Sequence, residues 1–274
     1  MYEVIFLFVL ALVFIIFATI QDFRKREVAD WLNFSLIIFA LGFRFFYSLF
    51  NENFSFFYQG LIGFGIFFVI GNVFYYSRLF AGGDAKLMIA IGAILPISYS
   101  FLENLNIFLI FLVIFLFIGA IYSMLWVLVL SLKNFKELKK DLSKKLKGFS
   151  KINYLIMFFG IIIILSGFFY SLLFFIGCLI FIFPLLLLYT KSVDEVCMIK
   201  KINSKELTEG DWLYKDVNVG NKTIKVSWNG LTKSEIELIK KKHKFVLIRQ
   251  GIPFTAVFLI SFLILIVYLK ILLE

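Results

Sequence analysis

The sequence predicts an all-α polytopic membrane protein of about eight transmembrane helices, with a small α+β cytoplasmic domain. Three observations predict it. Apolar residues fill 62% of the 274 positions, 38 of them phenylalanine, which is far from the composition of a soluble domain. These residues gather in runs of about 20, the helix length that crosses a bilayer. The basic residues are confined almost entirely to alternate gaps between the runs, as expected when one membrane face retains positive charge.

The first run, 4–20, follows no long basic leader and precedes no small-residue cleavage site, so it reads as a retained helix and not as a removed signal peptide. Further spans are predicted at 31–50, 56–77, 85–101, 106–131, 153–170, 172–190 and 252–272. The fourth is short and directly follows Gly82-Gly83-Asp84. The sixth and seventh share one apolar stretch, Tyr154–Tyr189, divided near Gly167; one long tilted helix plus a re-entrant piece fits it as well. Segments 21–30, 78–86, 132–151 and 191–250 hold 3, 2, 8 and 13 Lys and Arg residues, 26 of the chain's 28, whereas loops 51–53 and 103–106 hold none. The first set is therefore cytoplasmic and the N-terminus outside the cell membrane.

The division that follows is a membrane core at 1–131, a basic interfacial segment at 132–152, additional spans at 153–190, a cytoplasmic α+β domain at 191–250 and a closing span at 251–274. In the second of these, Leu138, Leu142, Leu146 and Phe149 share one side of a lysine-rich helix, the pattern of a helix lying at the membrane surface. Partner binding is the competing use. The net charge of +10 suits nucleic acid in principle. Its concentration beside span ends points to anionic lipid headgroups instead.

Within 191–250, the alternation Lys222-Thr223-Ile224-Lys225-Val226-Ser227-Trp228 predicts a strand. Thr232-Lys233-Ser234-Glu235 predicts a capping box opening a helix to about Lys242. Phe245–Ile248 reads as a final strand. A region of this size encloses a small core and is expected to lean on the membrane part. Cys178 and Cys197 form no CxxC pair, and His243 stands among lysines without a second ligand nearby, so no metal site is expected.

Chemistry is expected at two aspartates where apolar spans meet charged loops: Asp22 in Gln21-Asp22-Phe23-Arg24 and Asp84 in Ala81-Gly82-Gly83-Asp84-Ala85-Lys86. Carboxyls near hydrocarbon are costly and tend to mark function. Two brought together share a proton and form an acid/base pair. Each has a structural alternative. For Asp22 it is neutralisation by Arg24, Lys25 or Arg26, and for Asp84 the capping of a helix starting at Ala85. Gly82 and Gly83 supply the backbone freedom for Asp84 to enter a crowded interface from a loop. Asp30 fits an N-cap for the second span, and both Glu27 and Asp30 are candidate partners for a basic substrate segment. Gly60, Gly63 and Gly71 share one face of the third span, allowing close helix packing.

The two motifs, in this order and on this membrane side, resemble those of the prepilin and preflagellin peptidases, membrane aspartyl proteases with a Gly-x-Gly-Asp motif. The resemblance covers roughly residues 1–130, and Arg249-Gln250-Gly251-Ile252-Pro253-Phe254 also resembles the C-terminal part of some archaeal members. It implies Asp22 and Asp84 as catalytic residues, Gly82, Gly83 and Lys86 as motif support, no cofactor, and pilin-like or flagellin-like precursors as partners. Cleavage would remove a basic leader at the cytoplasmic face. Ala81 stands where the family has its first glycine. The paired CxxC segment of the bifunctional bacterial enzymes has no counterpart here, so a peptidase without methyltransferase activity is implied. A proton-coupled transporter using the same carboxyls, or a non-catalytic pilus-assembly scaffold, are the rival readings.

Overall fold

The structure, a computed structural model, describes residues 2–273 except 221, 228 and 229. Its helices are α1 (Tyr2–Lys25), α2 (Asp30–Phe50), α3 (Ser55–Tyr76), α4 (Gly82–Gly92), α5 (Phe101–Lys133), α6 (Phe135–Lys147), α7 (Lys151–Ser166), α8 (Ser171–Cys197), α9 (Lys233–Lys242) and α10 (Thr255–Leu273). The strands are β1 (Ile199–Asn203), β2 (Trp212–Leu213), β3 (Val217–Val219), β4 (Lys222–Ile224) and β5 (Phe245–Arg249). The chain forms two compact units, residues 1–124 with 252–274, and residues 125–251. Among the described residues five helices, α1, α2, α3, α5 and α8, are individually long and apolar enough to cross a membrane. The protein is a mostly helical, multi-pass membrane protein.

In the first unit, burial follows helical spacing. Leu7, Ala11, Ile15, Ala18 and Asp22 form the inner stripe of α1, so the periodicity that buries alanine and leucine also carries Asp22 inward. On α2 the stripe is Leu32, Asn33, Leu36, Ala40, Arg44 and Ser48. On α3 it contains Gly60, Gly63 and Gly71, as the shared face predicts. A Cβ at Gly63 would lie 2.4 Å from the carbonyl oxygen of Gly92, so α3 and α4 meet backbone to backbone. An aromatic cluster fills the space beside them: Phe80 packs against Phe74, Phe115, Phe254 and Phe258 with ring centroids 4.8–6.1 Å away.

The predicted span 85–101 is instead the 11-residue α4 followed by a non-helical stretch to Ser100. Two buried side chains explain how that backbone persists. Arg44 donates to the carbonyls of Phe56 (3.0 Å), Ala93 (2.9 Å), Ile94 (3.1 Å) and Pro96, its guanidinium lying 4.2 Å over the Phe56 ring. Asn104 accepts from the N–H groups of Ile97 and Ser98 and donates to Ser98 O and Gln59 Oε1. Pro96 also disfavours helix at the residue before it. Irregular backbone in such a bundle is tolerated where protein buries and satisfies it. The predicted 103–106 loop is accordingly the first turn of α5.

In the second unit α7 and α8 form a hairpin, so Tyr154–Tyr189 contains two separate helices, with Pro184 inside the second. The axes of α6 and α7 differ by 89°. Leu138 is buried and Leu142 half-buried against Val193, Cys197 and Tyr189. Part of the apolar side predicted to face lipid is thus covered by α8, while Leu146 remains exposed. Lys145 bridges Asp141 and Glu195, each at 2.8 Å. The sheet has the order β1-β5-β2, antiparallel throughout, with Ile199 opposite Arg249. β3 and β4 form a separate hairpin. The strand predicted at 222–228 is formed only over Lys222–Ile224, and Trp228 lies outside the described residues. Thr232 and Glu235 make the reciprocal capping box that opens α9. Leu213, Ile224, Ile236, Ile239, Val246 and Ile248 are among the residues of a core belonging to this region itself.

Removing Arg44 strands four carbonyls, and each unsatisfied buried group costs about 1–3 kcal/mol. Arg44→Leu is therefore expected to lower thermal stability in detergent strongly. Arg44→Lys should rescue little, because a single ammonium cannot reproduce the planar fork. Recovery of the wild-type unfolding temperature by Lys would refute this account.

Candidate active site

Asp22 occupies the last turn of α1 and is buried. Its Oδ2 accepts from the backbone N–H of Thr255 (3.1 Å) and from the Thr255 hydroxyl (2.9 Å). Thr255 opens α10, so its N–H has no acceptor within that helix. Asp22 fills that role from 233 residues away. The carboxylate also lies at the end of α10 that favours negative charge. Around this contact, the Tyr122 hydroxyl donates to Pro253 O at 2.8 Å, and Phe254 packs on Phe80 and Phe115.

The remainder of the first motif shapes the turn after α1. Gln21 Oε1 accepts from Ala29 N at 3.1 Å. Arg26 adopts φ +58° and donates its N–H to Asp22 O. Val28 is buried beneath this turn. Phe23, Arg24, Glu27 and Asp30 are exposed.

Asp84 lies in the first turn of α4 and is half-buried. The helix begins at Gly82, not at Ala85, and its N-cap is Ala81. Asp84 is thus held on a helix, which corrects the expected entry from a loop. Gly82 and Gly83 have no positive φ. Gly83 serves close approach instead: a Cβ there would lie 3.2 Å from Val28 Cβ, whereas one at Gly82 meets nothing nearer than 3.8 Å. Ala81 sits at φ −69°, ψ 161°, ordinary extended backbone for an L-residue. The substitution at the motif's first position therefore carries no conformational strain.

The two carboxyls belong to the same unit and lie close enough for the charge of Asp22 to act on Asp84. Lys86 forms an ion pair with Asp30 that links α4 to α2. Asp30 is the first residue of α2, whose N-cap is Ala29 without a side-chain cap bond; the predicted Asp30 cap is replaced by this ion pair. Asn33, fully buried, donates to Gly83 O at 3.4 Å. Thr255 and Asn33 were not singled out from sequence. Thr255 directly follows Pro253-Phe254, a helix-start signal, but nothing local assigns its hydroxyl to Asp22. Among the described residues no group of three or more His, Cys, Asp or Glu side chains could hold a metal ion.

Residues 8–128 match the type IV leader peptidase family. The chain is similar to the preflagellin peptidase of Methanococcus maripaludis, with 34% identity over 82 residues, covering 30% of this chain and 35% of that protein. It is also similar to the preflagellin peptidase of Methanocaldococcus jannaschii, with 29% identity over 89 residues, covering 32% and 38% respectively. The matched stretch thus spans little more than a third of each relative's length. No solved structure matches the chain.

The glycine geometry makes an internal comparison possible. Gly83→Ala should lower the unfolding temperature in detergent, because Val28 must give way. Gly82→Ala should be neutral or slightly stabilising, by up to about 1 kcal/mol, through reduced freedom of the unfolded chain. Equal effects of the two substitutions would contradict the packing described for Gly83.

Proposed function

We propose that this protein is a membrane aspartyl endopeptidase that cuts the basic leader from prepilin-like or preflagellin-like precursors at the cytoplasmic membrane face. The observation that carries the reading is the placement of buried Asp22 in the last turn of α1 and half-buried Asp84 in the first turn of α4, within one unit and a stretch matching the leader peptidase family. The preflagellin peptidase names of its relatives support the precursor class.

In the proposed reaction one carboxyl is ionised and the other protonated. The ionised group takes a proton from water as that water attacks the scissile carbonyl carbon. The protonated group donates to the carbonyl oxygen, and a proton then passes to the departing amine as the C–N bond breaks. The protons belong to the coupled pair, not to fixed individual residues. Like charge brought close favours sharing of one proton, which is the state this sequence requires. The exposed carboxylate of Glu27, on the turn directly after Asp22, is suited to meet a basic leader. Asp30 contributes less to such binding because it is engaged by Lys86.

Asp22→Asn and Asp84→Asn should each lower precursor cleavage by roughly a hundredfold or more, while membrane insertion stays near normal. Processing at close to the wild-type rate by either variant, measured on a purified precursor in detergent or liposomes, would reject the assignment.

Glu27→Lys should raise KM for a precursor with a basic leader more than it lowers kcat, the pattern of lost ground-state binding. Unchanged kinetics would remove Glu27 from leader recognition.

A further inference from the structure

We infer that Thr255, on the closing helix, is a positioning residue for the carboxyl pair, so that the working site extends beyond residues 8–128. The inference rests on the peptidase reading above. Thr255 and Asp22 are both buried, and Thr255 spends two donors on one atom, Oδ2 of Asp22. Two donors on a single carboxylate oxygen fix the plane of the group. They also make that oxygen a poor place for a proton, which leaves Oδ1 as the atom that exchanges protons with water or with Asp84.

The threonine itself is held in place. Its carbonyl lies 3.5 Å from the Thr19 hydroxyl one turn earlier on α1, and the preceding Pro253 carbonyl is held by Tyr122. A helix start needs an acceptor for its free N–H groups, and a carboxylate alone satisfies that need. The hydroxyl adds a second bond on the same oxygen, beyond what capping requires. This surplus is the observation that separates positioning of Asp22 from mere attachment of α10.

The test compares Thr255→Val, which keeps the shape and removes the hydroxyl donor, with Thr255→Ser, which keeps the donor and removes the methyl. Both are assayed on purified full-length protein with a full-length precursor, alongside Asp22→Asn and Asp84→Asn, and unfolding temperatures are recorded in the same detergent. Val is expected to lower kcat about ten- to a hundredfold, the worth of one hydrogen bond to a charged group, with KM changed less than about twofold. Ser should restore most of kcat. Full kcat in Val, or equal loss in Val and Ser, overturns the role of the hydroxyl while leaving the peptidase reading intact. Persistent cleavage by the Asp→Asn variants instead overturns that reading. Should Thr255→Val fail to insert, Thr255→Ala against Thr255→Ser replaces it under the same criteria.

Discussion

A guanidinium inside an apolar helix bundle must be surrounded by oxygen atoms, and Arg44 meets four backbone carbonyls. Three of them, those of Ala93, Ile94 and Pro96, belong to the buried non-helical stretch just past α4, where no helical ladder satisfies them. By supplying those partners Arg44 allows α4 to stop after 11 residues within a buried environment. Asn104 continues the service for the N–H groups of Ile97 and Ser98. The short helix can then lie against α3 at glycine distance, with Gly63 and Gly92 in contact. Its N-terminal turn, bearing Asp84, follows from where its far end is anchored. The two ends of α4 thus differ in chemistry: a cation that satisfies carbonyls lies past one, and the Asp84 carboxyl stands in the first turn of the other.

The same economy of helix ends governs Asp22. Its oxygen satisfies the start of α10, and the bond orients a carboxyl that would otherwise rotate about its side-chain torsions. Asp22 therefore combines a structural hydrogen bond with the proposed chemistry, and the capping and catalytic readings of such a residue are not exclusive. Such groups also contribute to stability, so activity loss on their substitution is informative only beside a measurement of folding.

Much of this was legible in the chain because it depends on periodicity. The apolar runs located α2 and α3 to within one residue, while α1, α5 and α8 run past the predicted bounds into the polar flanks, since burial in a bundle follows helical spacing. The capping box at Thr232 and Glu235 formed as its local pattern indicates. What escaped was non-local. Residues 85–101 are apolar enough for a span, and only the distant Arg44 and Asn104 reveal why helix ends at Gly92. Asp30 resembled a cap because its neighbours in sequence allow one, yet Lys86, 56 residues away, engages it. Ala81 looked like a defect in a glycine motif, although its backbone lies where any L-residue is comfortable. Thr255 carries no local sign of its partner. Family patterns identify the residue types, while the backbone angles and contacts show which of them need to be glycine.

The separation of 233 positions between Asp22 and Thr255 also orders events in time. Long-range contacts are the slow ones to close, because the intervening chain must first be arranged. During synthesis α1 enters the membrane long before α10 exists, so Asp22 passes through a period without the donors that orient it. The aspartate becomes fully set only when α10 has arrived, and assembly of the site thereby waits on a segment made much later than α1.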